Sequence, residues 1–113
     1  MSDANQHLDL DALKELQEVM GDEFALLVET FTTDSILRIE GIKEAVASQD
    51  AEAIRRAAHS FKGSASNMAA PALTKLCRSL EDLGFNGSTE GGEQLQQSII
   101  AEYAQVKTAL EAL

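Results

Sequence analysis

The sequence predicts an all-α protein: an antiparallel up-down bundle of four long helices, preceded by one short additional helix. Three observations lead to this fold class. Apolar residues recur at steps of three and four through nearly the whole chain, as they do on amphipathic helices. The sequence has neither a β-hairpin turn signal nor a sustained alternation of apolar and polar residues. The segments between the periodic stretches are short, which favours antiparallel neighbours in a bundle.

The first two helices are bounded by residues that commonly cap or end helices. Asp9 can cap a short helix that runs to Met20, and Gly21 can end it. A longer helix follows from about Asp22 to Ser48. We expect the short helix to cover one end of the bundle. The apolar positions that predict these two helices are Leu10, Leu13, Leu16 and Met20, then Phe24, Leu27, Val28, Phe31, Ile39, Ile42 and Val46.

The next segments complete the bundle. Asp50 can cap the third helix, which we carry to about Met68, and Pro71 is suited to the first turn of the fourth. We expect Gly84 to end the fourth helix and residues 85–92, rich in Gly, Ser, Thr and Asn, to form a loop before the last helix. The three apolar stripes are Ile54, Ala57, Ala58, Phe61, Ala65 and Met68; Leu73, Leu76, Cys77, Leu80 and Leu83; and Leu95, Ile99, Tyr103, Val106, Leu110 and Leu113.

The 113 residues suit a single domain with one core. We expect residues 1–8, including His7, to be a flexible tail and residues 9–113 to be one helical domain. Cys77 lies on the apolar stripe of its helix, which predicts a core residue rather than a reactive thiol. The chain can be interpreted as a free-standing domain or as a segment of a larger sensor protein.

Composition excludes several classes of partner. The formal net charge is −10, and the sequence pI is about 4.5, which argues against nucleic acid and anionic membranes. No stretch approaches 18 consecutive apolar residues, and the N-terminus lacks the features of a secretory signal. The one cysteine cannot form an internal disulfide. The lack of an internal disulfide fits a reducing compartment, so we expect a cytoplasmic protein. Because each apolar stripe is narrow, we expect a monomer.

The third helix carries an unusual outer face. At about 100° per residue, His59 lies roughly 140° from the centre of the apolar stripe and Gly63 roughly 180° from it. A glycine inside an exposed helix costs roughly 1 kcal/mol relative to alanine, so this one suggests that something approaches the imidazole closely. Lys62 neighbours both residues, and Arg55 and Arg56 precede them by one turn. The pattern predicts a histidine exposed to a partner's active site, among cations that favour an anion.

One stretch carries a resemblance to a known family. It is H-S-F-K-G at residues 59–63, preceded by alanines and followed by S-A-S-N-M. This stretch resembles the signature of histidine-containing phosphotransfer (HPt) domains, although the family commonly has Leu-Gly in the following turn where this chain has Met68-Ala69. The resemblance covers roughly residues 10–110. The flanking positions that fit the family are Phe31, Ile42, Ala45 and Asp50, and the run from Leu76 to Gly84.

The resemblance implies the same helical bundle and a role as a phosphorelay intermediate. It implies that His59 accepts a phosphoryl group from a phospho-aspartyl receiver domain, or from a sensor kinase, and passes it to the receiver domain of a response regulator. Lys62 then stabilises the negative charge of the moving group. The implied partners are the receiver domains of hybrid sensor kinases and of response regulators. The alternative is an interaction module that binds receivers without phosphotransfer.

The residues supply a nucleophile but no donor site. The sequence has no P-loop, no kinase signature set and no acidic cluster spaced about His59 to hold Mg²⁺. We therefore expect a phosphotransfer carrier rather than an enzyme, without its own ATP site, cofactor or metal, and with Mg²⁺ supplied by the receiver. Arg56 stands where a bundle metal site has glutamate, and Ser60 points away from His59 on a helix, so a metal site and a hydrolase are disfavoured.

Small, cationic and off-stripe apolar residues define the expected docking surface. The two apolar residues lie on the second helix, and they either contact a partner or pack against the short first helix; their spacing leaves both open. The residues expected at this surface are Gly63, Ser60, Ser66, Arg55, Arg56, Ile36 and Leu37.

Overall fold

The structure is a computed structural model that describes residues 7–113. Its helices are α1 (Leu10–Met20), α2 (Glu23–Ser48), α3 (Ala51–Asn67), α4 (Pro71–Phe85) and α5 (Gly92–Glu111), and this part of the chain contains no strand. Helix α3 packs between α2 and α4, and α5 contacts both α4 and α2. The predicted four-helix bundle with a short first helix is therefore confirmed. None of the described helices is both long and apolar enough to cross a membrane.

The helix boundaries follow from local chemistry, largely as the sequence predicts. Asp9 and Asp50 each accept a hydrogen bond of 3.1 Å from the backbone N–H three residues further on, which satisfies one free donor at the start of α1 and of α3. Gly21 ends α1 with a φ of +57°. Pro71 lies in the first turn of α4, where its missing N–H is not needed.

The prediction that Gly84 ends the fourth helix is wrong. Gly84 is buried inside α4, which continues to Phe85. A Cβ atom at Gly84 would lie 2.5 Å from the carbonyl oxygen of Ala51 and 2.7 Å from the backbone nitrogen of Arg55. The glycine is therefore explained by a close crossing of α4 with the start of α3, and this crossing fixes the register between the two helices.

Aromatic side chains link α2, α3 and α5 in the centre of the bundle. The ring of Tyr103 lies 6.1 Å from that of Phe31 and 6.2 Å from that of Phe61, centroid to centroid. Its hydroxyl donates a hydrogen bond of 3.3 Å to the carbonyl oxygen of Thr32. Cys77 is fully buried on α4, as predicted, and burial raises the pKa of its thiol to about 12. A thiol in this environment is a core residue.

The predicted tail is wrong for the two of its residues that the structure describes. Leu8 is completely buried, and the next residue, Asp9, donates its backbone N–H to the carbonyl oxygen of Ala69 at 2.8 Å. His7 Nδ1 lies 2.6 Å from Glu102 Oε2. These contacts form because α1 starts against the turn between α3 and α4, at the end of the bundle that it covers. The other six residues of the predicted tail lie outside the described part of the chain.

The turn between α3 and α4 keeps a backbone that favours glycine, although it has none. Ala69 has a φ of +57°, in the left-handed region that costs a residue with a Cβ about 1–2 kcal/mol. Ala69 therefore has a left-handed backbone at the position where the family commonly has the glycine of a Leu-Gly pair. The carbonyl oxygen of Ala69 is also the acceptor that binds the start of α1.

Candidate functional site

Helix α3 buries one side and exposes the opposite side. Ile54, Ala58, Phe61 and Ala65 are buried in the core. His59 projects away from them, with 64% of its side chain exposed. The imidazole is therefore open to a partner, as its angular position on the helix predicts.

A carboxylate from α4 holds both His59 and Lys62. Glu81 Oε2 lies 2.6 Å from His59 Nδ1, and Glu81 Oε1 lies 2.6 Å from Lys62 Nζ. Only 15% of the Glu81 side chain is exposed. The hydrogen bond from Lys62 and the one from His59 keep the pKa of Glu81 below its ordinary value, against the effect of burial. Glu81 is thus an ionised carboxylate that accepts hydrogen bonds from both side chains.

The contact with Glu81 assigns the tautomer of a neutral His59. An ionised carboxylate can only accept a hydrogen bond, so Nδ1 must be the ring nitrogen that carries the proton. Nε2 then keeps its lone pair and lies on the side of the ring away from the backbone. The arrangement orients a nucleophilic nitrogen toward solvent.

Gly63 and Ser66 continue the exposed side of α3 toward its C-terminal end. Both residues are exposed, and a Cβ atom at Gly63 would meet no atom within 4 Å. Nothing within the described chain therefore requires glycine at this position. The low surface that it leaves beside His59 is available to another molecule.

The two arginines before His59 are partly neutralised. Arg55 donates hydrogen bonds to Glu52 at 3.1 and 2.5 Å, and Arg56 Nε lies 3.7 Å from Glu52 Oε1. The hydrogen bond from Arg55 lowers the pKa of Glu52. The positive charge expected at this end of the site is therefore shared with one carboxylate.

Ser60 is exposed, but its hydroxyl also contacts a side chain of α2. The guanidinium of Arg38 donates to the Ser60 hydroxyl, and Arg38 Nε donates to Asp34 Oδ2 at 2.6 Å. This chain of contacts connects α2 to the exposed side of α3, next to His59. Arg38 was not among the residues expected at the site, since its partner on α3 depends on how the two helices pack.

The two apolar residues on α2 do not pack against α1. Ile36 is 61% exposed and Leu37 is 69% exposed, so the interpretation that they cover the short first helix is wrong. Leu37 and Ser60 line one shallow depression between α2 and α3, together with Gly41. Leu37 is thus close to the exposed side of α3, whereas Ile36 is exposed without lining that depression.

Two further residues of the site, Glu81 and Phe85, lie on α4 and are not predicted from the sequence. Glu81 flanks the apolar stripe of its helix, and this position does not show which residues of α3 its side chain faces. The prediction that Phe85 lies in a loop is wrong: it is the last residue of α4, 75% exposed and one turn beyond Glu81 on the same side. The exposure of this aromatic ring could be predicted only if the end of α4 were known to lie at Phe85.

Within residues 7–113, no three His, Cys, Asp or Glu side chains are grouped closely enough to hold a metal ion. The site consists of His59, Lys62 and the Glu81 carboxylate that contacts both. Gly63 leaves the helix surface beside His59 without a side chain. This constellation can present a nucleophile and a cation to an anionic group on another molecule.

Comparison with known proteins gives the class of the chain. The family model described as Hpt domain matches residues 26–113, so the chain belongs to the Hpt domain family. It is a histidine phosphotransfer intermediate of phosphorelay signalling. Members of this family are phosphotransfer carriers rather than conventional enzymes, and they interact with receiver domains of two-component systems.

Two relatives are similar in sequence or structure. Histidine-containing phosphotransfer protein B (HptB) from Pseudomonas aeruginosa PAO1 has 39% sequence identity and a TM-score of 0.90, over 94% of this chain and 92% of that chain. The sensor protein TorS from Escherichia coli strain K12 is 39% identical over 79 residues, which are 68% of this chain. The match spans only 8% of the length of TorS.

Proposed function

We propose that His59 is the phosphoacceptor and that its Nε2 atom accepts the phosphoryl group from a phospho-aspartyl receiver domain. The observation that carries this proposal is the contact between Nδ1 and Glu81, which leaves Nε2 with a free lone pair on an exposed ring. His59 also stands at the centre of the motif that resembles the family signature.

In the accepting step, the Nε2 lone pair attacks phosphorus in line with the bond to the receiver's aspartate. The new N–P bond forms as that P–O bond breaks, and the electron pair of the P–O bond leaves with the aspartate carboxylate. The Nδ1 proton stays on the ring. In the donating step, an aspartate oxygen of the second receiver attacks phosphorus, and the N–P electron pair returns to Nε2.

Glu81 and Lys62 stabilise the charges that develop on the ring and on the phosphoryl group during transfer. The ring becomes positively charged as the N–P bond forms, and the Glu81 carboxylate at Nδ1 offsets that charge. Lys62 stabilises the negative phosphoryl oxygens, and its contact with Glu81 keeps the ammonium group beside the site before the partner arrives. Glu81 is therefore a positioning residue in this mechanism, since it acts through His59 and Lys62.

The docking surface surrounds His59 on three sides. Gly63 and Ser66 have little or no side chain, so neither protrudes beside His59. Ser60 and Leu37 extend the surface toward α2. Phe85 adds an exposed aromatic ring on α4. Exposed aromatic and aliphatic groups beside a polar centre are typical of protein interfaces. Arg55, Arg56 and Ile36 belong to the same proposal as more peripheral contacts.

The remaining features of the relay come from the partner. The proposal places Mg²⁺ in the receiver, since it needs no metal, cofactor or ATP site on this chain. The carrier acts as a cytoplasmic monomer, and hybrid sensor kinases and response regulators supply the two receivers. One exposed face serves both, so the carrier binds them in turn.

The test is transfer of labelled phosphate from a receiver to wild type, His59→Gln and His7→Gln proteins. The chain has two histidines, so His7→Gln is a matched control. We expect acid-labile, alkali-stable label on wild type and His7→Gln but none on His59→Gln, with unchanged helical content by circular dichroism. Label on His59→Gln would contradict the assignment. Receiver binding without label on any of the three proteins would favour the module that docks without phosphotransfer.

A further inference from the structure

A second surface feature overlaps the His59 site on the side of Lys62. Beside Lys62 lies an open groove of about 750 Å³ between the end of α3 and the start of α4. We call it the basic groove. The residues that define it are Lys62, Gly63 and Ser66 from α3 and Thr74, Lys75 and Arg78 from α4.

The charge of the basic groove is opposite to that of the whole chain. The chain has 9 Lys and Arg against 19 Asp and Glu, yet three of those cations line this one groove. Asp9 is the acidic residue in its lining, and its carboxylate is engaged in capping α1. The groove is therefore a local positive patch on an acidic protein.

Two of the three cations are free to bind another molecule. Lys62 contacts Glu81, whereas neither Lys75 nor Arg78 makes an ion pair with any side chain in residues 7–113. By contrast, Arg55 and Arg56 share Glu52. The uncompensated positive charge near His59 thus lies on the α4 side of the site, whereas the sequence predicts it on α3.

The groove is close enough to His59 to be covered by the same partner. Arg78 and Lys75 precede Glu81 by three and six residues of α4, or about 4.5 and 9 Å along the helix axis. An interface of ordinary size covers about 800 Å² of each partner and extends well past that distance. A domain that places its phospho-aspartate against His59 therefore lies over part of the groove.

An anionic partner needs such a patch here. A receiver presents a negatively charged phospho-aspartate, and the formal net charge of this chain is −10, so repulsion opposes the approach of that group. A local positive surface beside the acceptor reverses that force at close range and steers the approach. We propose that Lys75 and Arg78 bind carboxylates on the receiver surface that borders its phospho-aspartate. This inference rests on the proposed function, because it assigns the partner of the same site.

The test compares two double variants of the full chain that have equal charge. Lys75→Glu/Arg78→Glu alters the groove, and Lys14→Glu/Lys107→Glu alters exposed lysines on α1 and α5. Each variant moves the net charge from −10 to −14, because two cations become two anions. The probe is a receiver domain treated with beryllofluoride, which mimics its phosphorylated form, and the measurement is the association rate at low and at high salt.

We expect the groove variant to associate at least about tenfold more slowly than the control variant at low salt, with the difference shrinking as salt increases. Equal rates for the two variants would overturn the proposal, since only total charge would then matter. Equal association with a slower transfer step at saturating receiver would also overturn it, because Lys75 and Arg78 would then act on chemistry rather than docking.

Transfer of label to wild type, measured in parallel, separates this inference from the proposed function. A groove effect on binding without label on wild type would keep the docking surface and reject the phosphoacceptor. Label on wild type without a groove effect on binding would keep the phosphoacceptor and reject Lys75 and Arg78 as docking residues. Circular dichroism of both double variants checks that their helical content is unchanged.

Discussion

At the scale of single residues, the central feature is one carboxylate that serves two side chains. Glu81 contacts His59 through one oxygen and Lys62 through the other, each at 2.6 Å. Because a carboxylate accepts but does not donate, these contacts fix the proton on Nδ1 and hold the ammonium group nearby. The nucleophile and its cation are thus set in place before any partner binds.

The first prediction concerns the hydrogen bond from His59 to Glu81. Glu81→Ala should slow phosphoryl transfer by about ten- to a hundredfold, because the imidazole loses its orientation. Glu81→Gln should slow transfer by less than about tenfold, since its amide oxygen can still accept the Nδ1 hydrogen bond although it no longer offsets the positive charge of the ring. Single-turnover transfer from a phosphorylated receiver measures both rates.

Asp82→Ala is the matched control, since it removes a neighbouring exposed carboxylate from the same helix and should leave the rate unchanged. Equal rates for Glu81→Ala and wild type would show that orientation through Glu81 is unimportant. If Glu81→Gln were as slow as Glu81→Ala, the negative charge rather than the acceptor geometry would be the property that matters.

At the scale of elements, the pair α3–α4 builds the site, and two glycines in it have opposite roles. Gly84 lies where the helices approach most closely, and a Cβ there would meet the backbone of α3 at 2.5 Å. Gly63 lies on the outer side, where a Cβ would meet nothing within 4 Å. The first glycine permits packing, and the second leaves a surface uncovered.

The second prediction follows from this difference. Gly63→Ala should raise the free energy of unfolding by about 1 kcal/mol, since alanine is the better helix former and meets no obstacle. Gly84→Ala should lower it by about 1–3 kcal/mol, because the helices must separate to admit the methyl group. Urea denaturation followed by circular dichroism measures both changes. Stabilisation by both substitutions would mean that the α3–α4 crossing is looser than described.

At the scale of the whole molecule, Leu8 and Asp9, which precede α1, are part of the bundle. Leu8 is fully buried, and the backbone of Asp9 is bonded to the turn between α3 and α4. This turn also lines the basic groove. Leu8 and Asp9 therefore stabilise the turn that lies next to Lys62 and Gly63 in the groove.

The third prediction tests this boundary. Leu8→Ala should lower the free energy of unfolding by about 2–4 kcal/mol, because it leaves a cavity in the core. Leu26→Ala is the matched control; Leu26 is 62% exposed on α2, so its loss should change stability by less than about 0.5 kcal/mol. Thermal or urea unfolding of the two variants gives the comparison. Equal effects would place Leu8 outside the cooperative unit.

Local signals in the sequence were enough for the fold. The spacing of apolar residues predicted each helix, and Asp9, Gly21, Asp50 and Pro71 marked the ends because capping depends on neighbours along the chain. The outward position of His59 followed from the same periodicity. The burial of Leu8 is not predicted because one apolar residue by itself has no periodicity that would indicate burial.

What the sequence by itself determined is therefore the helical bundle, the exposed histidine and the resemblance of its motif to a family. The tertiary structure decided which side chains from other helices lie around that histidine: Glu81 contacts its Nδ1, Arg38 contacts the adjacent Ser60, and Lys75 and Arg78 line the neighbouring groove. The physical reason is that periodicity fixes the direction of a side chain around its own helix. The register between two helices depends on how their surfaces pack, and here that depends on the close approach at Gly84.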